Sequence, residues 1–147
     1  METEAGGLRY TAGAPLEGLE SGTLSDQFFA SAAQFSGVAA SRREAGEWRD
    51  FDRADLVDRI RALAAGLRGL GCEAGDRVAI ISHTRLEWAL ADWAAVLGGR
   101  VVVTVYPVLP PDQVLHIFRD SGARFAFAED EAQLSKILEV QAELPGL

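Results

Sequence analysis

His83 is the side chain whose type and place best suit acid/base chemistry in this sequence. It follows the apolar run Val78-Ala79-Ile80-Ile81, at the carboxyl end of a predicted strand, where open α/β sheets collect ligands. No Ser, Cys or Asp stands with it in a triad order, so a solvent-facing histidine in a strand-to-helix loop is the plainer expectation. His116, one turn into a predicted helix, has less to recommend it. Glu87 and Asp92 stand five residues apart, a spacing that points two carboxylates to different sides of a helix, and solvated charges are expected. No His, Asp or Glu cluster has metal-ligand spacing. The lone Cys72 can form no internal disulfide and is expected as a buried or half-buried turn residue in a reducing compartment.

Phosphate-gripping and stacking patterns fail in the same way. Ser21-Gly22-Thr23 lacks the later glycines and the Lys of a phosphate loop. Gly66, Gly69, Gly71 and Gly75 lie within and after a predicted helix rather than between a strand and a helix, which reads as packing and capping. Trp48, Trp88 and Trp93 have no basic residues interleaved among them, so core or interface packing is expected. The residues alone therefore assign no catalytic, cofactor-binding or metal-binding position.

The bulk properties narrow the function classes. Fourteen Lys and Arg against 22 Asp and Glu give a net charge of −8 over 147 residues, which repels a phosphate backbone, and no nucleic-acid partner is expected. Apolar residues at 48% and charged residues at 24% describe one ordinary globular domain. Val101-Val102-Val103 typifies the short apolar runs, far below the roughly 20 residues of a membrane-spanning helix. The acidic, glycine-bearing start Met1-Glu2-Thr3-Glu4-Ala5-Gly6-Gly7 is unlike a secretory signal, and cytoplasmic residence is the default expectation.

The elements that must position any site come from periodicity. Residues 1–22 carry Gly6, Gly7, Gly13, Gly18, Gly22 and Pro15 and read as a flexible leader. Thr23 or Ser25 caps a short helix bearing Leu24, Phe28, Phe29 and Phe35, with Gly37 past its end. Val38–Ser41 and Glu47–Phe51 read as a β-hairpin. Asp52 caps the next helix, with Asp55 as a capping-box variant and a stripe of Leu56, Ile60, Leu63, Leu67 and Leu70, closed by Gly71. Strand and helix then alternate: Val78–Ile81, helix Leu86–Leu97, Val101–Val105, a helix opened by Pro110-Pro111, Phe125–Ala128, and a helix over about Glu131–Glu143. That alternation predicts an α/β fold: a partial doubly wound, mostly parallel sheet with flanking helices, preceded by a short helix and hairpin. No further strand precedes Leu147.

In order and spacing, Trp48-Arg49-Asp50-Phe51-Asp52-Arg53-Ala54-Asp55-Leu56, Leu70-Gly71-Cys72-Glu73-Ala74-Gly75-Asp76-Arg77-Val78-Ala79-Ile80, Arg85-Leu86-Glu87-Trp88, Val105-Tyr106-Pro107 and Asp120-Ser121-Gly122-Ala123-Arg124 resemble one family. They look like the N-terminal portion of an AMP-forming acyl-CoA synthetase of the adenylate-forming superfamily. With Pro111-Asp112-Gln113-Val114 added, the long-chain fatty acid CoA ligase branch is most similar. The resemblance covers residues 23–147 as an incomplete N-terminal α/β subdomain. It implies a two-step reaction in the complete enzyme, in which ATP and a fatty acid give an acyl-adenylate and pyrophosphate, and coenzyme A then displaces AMP. ATP, Mg²⁺ and CoA are thus implied for the complete enzyme and none for this segment, because the phosphate loop and catalytic Lys of that family come later in the chain. A homodimer, association with the rest of the ligase, and peripheral membrane association are further implications. Thr84, Thr104, Val108 and Arg100 depart from residues common in the family. Tyr106 and Pro107 are expected as a structural turn at the end of a central strand. Two readings remain: an N-terminal piece of a ligase, inactive by itself and sticky at its open sheet edge, or a self-standing non-catalytic α/β binding or interaction module.

Overall fold

The computed structural model describes residues 22–147 and, before them, only the backbone of β1 (Glu2–Ala5) and β2 (Leu8–Thr11), which pair antiparallel. The leader expected over residues 1–22 otherwise lies outside the described residues.

Thr23 caps α1 (Leu24–Gln34) in a full capping box: its hydroxyl accepts from Asp26 N–H at 3.2 Å and Asp26 accepts from Thr23 N–H at 2.7 Å. No residue of α1 is fully buried. The hairpin that follows, β3 (Val38–Glu44) and β4 (Glu47–Asp52), is longer than the sequence predicts. Its strands run to a two-residue turn because Ala45 and Gly46 both take positive φ (49° and 91°), the backbone twist that matches a hairpin.

Asp52 caps α2 (Arg53–Gly69) as predicted, accepting from Ala54 N–H at 2.9 Å. Asp55 does not complete a capping box; its carboxylate accepts instead from Arg59 Nε, 3.1 Å away. Leu56, Ile60 and Leu67 are buried on the predicted stripe, but Leu70 is 74% exposed. The helix stops one residue before Leu70, and Gly71 at φ 82° turns the chain away.

β5 (Arg77–Ile81) lies between β6 (Val101–Val105) and β7 (Phe125–Ala128), all parallel, in the order β6-β5-β7. Val78 through Ile81 are buried, as a strand covered on both faces requires. α3 (Leu86–Leu97) carries the chain from β5 to β6 and α4 (Pro111–Ser121) from β6 to β7, with α5 (Glu131–Val140) and a 3₁₀ turn at Gln141–Glu143 after it. Strand alternation splits the core. Ala79 and Ile81 face Val114 and Phe118 of α4 and Ile137 and Val140 of α5. Val78 faces Leu67 of α2 and Ala95 of α3, with Phe125 and Phe127 half-covered on that side. Burying a side chain such as Phe118 or Val114 contributes about 1.5–3 kcal/mol, so these contacts outweigh any single cap.

Arg100 ties the lower edge of the sheet. It is buried, and its guanidinium donates through Nε (3.1 Å) and Nη2 (2.6 Å) to the carbonyl of Cys72, which is itself fully buried. Gly98 makes room for it: a Cβ there would stand 1.7 Å from Arg100 Nη1. Gly66 and Gly69, by contrast, face open space, so the packing role expected of them is not found, whereas Gly71 and Gly75 take positive φ and do end or turn elements.

Candidate functional site

The strand order places a topological switch between β5 and β7, since the chain leaves β5 toward β6 on one side and returns to β7 on the other. Ligand crevices in open α/β sheets form at the carboxyl ends of such a pair. Here that crevice is occupied by the protein's own side chains. Glu129, directly after β7, accepts from the backbone N–H of His83 at 2.6 Å and lies 2.9 Å from His83 Nδ1 through the same oxygen. Its other oxygen is 3.5 Å from Arg85 Nη1. The His83 N–H first, and then the imidazole, hold the Glu129 carboxyl down at about 2. At neutral pH it is a fixed negative charge, not a proton acceptor.

The network continues outward. Arg85 Nε donates to Glu87 at 2.7 Å, which holds the Glu87 carboxyl below its ordinary range, and Arg42 of β3 pairs with both Glu87 and Glu44. Thus the loop Ser82–Arg85 is pinned from β7 on one side and from the hairpin on the other. Beside it opens a cavity of about 380 Å³ lined by His83, Thr84, Trp88, Thr104, Tyr106 and Pro107. Hydroxyl, imidazole and indole groups converge there with no Lys or Arg among the lining residues. Such a lining can orient a polar group, but it lacks the guanidinium or ammonium that holds a phosphate.

The residues singled out by type and spacing fare unevenly. His83 is exposed, as expected, yet held by Glu129, a partner that sequence reasoning missed. The signal for it was an acidic residue at the carboxyl end of the third core strand. His116 is exposed. Glu87 is not merely solvated but doubly ion-paired, and Asp92 is half-buried, with burial raising its pKa. Among the described residues no group of three or more His, Cys, Asp or Glu could hold a metal ion. Trp88 and Trp93 are half-buried, but Trp48 is 70% exposed on the hairpin and does not pack in the core. Tyr106 and Pro107 do form a turn, closed by Leu109 N–H donating to Tyr106 O at 3.2 Å. It follows β6, an edge strand of the described sheet rather than a central one. Pro107 is buried and its carbonyl accepts from Lys136 Nζ at 2.5 Å, while Tyr106 is exposed.

Parallel strands in this order, flanked on both faces and ending in an occupied switch-point crevice, define an open α/β sheet of the doubly wound kind. The chain belongs to the AMP-binding enzyme family, whose profile matches residues 28–146. It is 40% identical over 102 residues to the long-chain-fatty-acid–CoA ligase FadD15 of Mycobacterium tuberculosis, a match covering 69% of this chain and 17% of that protein. An uncharacterized protein of the same organism is 29% identical over 113 residues, covering 74% of this chain and 62% of that one. The crystal structure of a Rhodopseudomonas palustris protein assigned as a long-chain-fatty-acid CoA ligase superposes with a TM-score of 0.74 at 27% identity, over 85% of this chain and 31% of that one. The chain thus spans less than a fifth of the length of the FadD15 ligase and under a third of that crystallised relative. No helix among the described residues is long and apolar enough to cross a membrane.

Proposed function

We propose that this chain forms the N-terminal α/β part, residues 23–147 behind a leader of 1–22, of a long-chain fatty acid CoA ligase. The complete enzyme joins a fatty acid to ATP as an acyl-adenylate, releases pyrophosphate, and passes the acyl group to the thiol of coenzyme A with loss of AMP. ATP, Mg²⁺, CoA and the fatty acid are bound by later parts of that enzyme. The N-terminal part contributes the scaffold and a fixed loop, Ser82–Arg85, at the carboxyl edge of the sheet. None of its side chains takes a catalytic role. The reaction is placed in the cytoplasm, with any membrane contact peripheral. The observation that carries the reading is the 40% identity to a named long-chain ligase over 102 residues.

The test is to read the coding sequence past the Leu147 codon and to assay thioester formation from ATP, palmitate and CoA. A longer product is expected to release AMP and pyrophosphate, and the 147-residue chain none. Turnover by the short chain, or a longer product without thioester formation, overturns the reading. A second reading, a self-standing binding or interaction module descended from such a ligase, is favoured by the short uncharacterized relative, of which the match covers 62%. A stop codon after Leu147 together with a cooperative thermal transition would select it.

A further inference from the structure

α1 meets the rest of the molecule across a groove of about 400 Å³. Its walls are Leu24 and Phe28 of α1, Leu56 and Ile60 of α2, and Leu90 and Trp93 of α3. Arg53, the first residue of α2, is the one charged residue of the lining. Among the described residues its guanidinium takes part in no hydrogen bond or salt bridge, its Nε is buried without a partner, and it lies over the Phe35 ring, 5.9 Å from the centroid. The neighbouring carboxylates are engaged elsewhere, Asp52 on Ala54 N–H and Asp55 on Arg59. In a chain of net charge −8, an apolar slot whose single charge is a cation with no hydrogen-bonded or ion-paired partner among the described residues is complementary to a negative head on an apolar tail. The positive end of α2, where Arg53 stands, adds to that preference. The volume decides between occupants. About 400 Å³ lies at the low end of small-molecule sites, while an α-helix is about 10–12 Å across with its side chains and needs a wider trough.

We propose that this groove binds one single-chain anionic amphiphile, a carboxylate head on Arg53 and the tail laid between α1 and α3. It is a site for holding and not for chemistry, because no titratable group other than Arg53 lines it. It lies on the outer side of α2 and α3, apart from the crevice between β5 and β7. The inference stands on the groove and does not depend on the ligase reading.

The experiment titrates the 18-carbon fluorescent fatty acid cis-parinarate into the full chain and follows energy transfer from the tryptophans, with palmitate and hexadecanol as competitors. Saturable binding at one equivalent is expected, with palmitate displacing the probe. Arg53→Gln should weaken palmitate about tenfold and leave hexadecanol unchanged. Ala32→Trp, which fills the groove from a helix with no buried residue, should abolish binding of both. Absence of saturable binding, or an Arg53→Gln effect equal for acid and alcohol, overturns the proposal. So does binding that survives a folded Ala32→Trp. Should Ala32→Trp fail to fold by circular dichroism, the comparison of acid with alcohol in Arg53→Gln decides alone. None of these results touches thioester formation by a longer product, so the two readings fail separately.

Discussion

At the scale of single residues, two side chains control how the sheet ends are held, and each makes a prediction. Glu129 is a carboxyl whose pKa in the folded chain is about 2, against about 4.3 for an unperturbed Glu. The unfolded chain therefore binds the extra proton between those values, and the stability from the Glu129 contacts is present above that range and lost as pH falls through it. Unfolding in urea, measured from pH 7 down to pH 2, should show a decline that Glu129→Gln reduces, with no change in slope between the two chains above about pH 5.5. An identical acid limb in both would show that Glu129 does not pin the His83 loop. Gly98 and Arg100 form the second pair. Gly98→Ala brings a Cβ onto Arg100 Nη1 and must expel the guanidinium from the Cys72 carbonyl. Hydrogen bonds to a charged group are worth about 1.5–3 kcal/mol, and a destabilisation of about that size is expected by chemical denaturation. Arg100→Ala should cost a similar amount, and the double variant no more than the larger single, since both act on one contact. Full additivity would refute the coupling.

Whole elements are legible in the sequence where one signal dominates. The buried run Val78–Ile81 can belong only to a strand covered on both faces, and Asp52, Gly71, Pro111 and Gly122 mark helix ends that the structure keeps. The hairpin reads short from sequence because Arg42, Arg43 and Glu44 carry no strand pattern by themselves. They extend because the turn falls at Ala45-Gly46 and Arg42 finds Glu87, forty-five positions away, and a long-range ion pair leaves no mark in a local window. The same reason hides Glu129, forty-six positions from His83. α1 lies where its periodicity puts it, but its aromatic face is less covered than its composition implies. Phe29 and Phe35 are exposed, and Phe28 makes the principal contact, its ring centroid 4.6 Å from that of Trp93. A helix with no fully buried residue should open independently of the sheet. Phe28→Ala is expected to raise amide hydrogen exchange over residues 24–34 by an order of magnitude or more while β5 stays protected, because a capped isolated helix of this length is marginal without its half-buried aromatic contact. Equal loosening of α1 and β5 would mean that α1 belongs to the cooperative core.

Among the described residues the parallel sheet has one strand buried and two at its edges, and that arrangement has a cost that its core does not remove. Parallel sheets are found covered on both faces, yet here Val101 of β6 is half exposed, and Phe125 and Phe127 of β7 are only partly covered on the side of α2 and α3. β7 offers unpaired backbone groups along an edge with no Lys, Arg or Pro within Phe125–Ala128 to discourage pairing. A net charge of −8 slows encounter between copies but does not mask a strand edge, because charges beyond about 8–10 Å are screened at physiological salt. Self-association that strengthens with salt is therefore expected. Sedimentation velocity on the 147-residue chain should show concentration-dependent dimers or larger species, more of them at 0.5 M than at 0.05 M NaCl. Ala126 is exposed in the middle of β7, so Ala126→Lys puts a charge on the edge without entering either core. It should return the chain to a monomer with its melting temperature within a few degrees of the parent. A monomeric parent at high salt would show instead that the edge is already protected, and would shift attention to the half-covered Phe125 and Phe127 face.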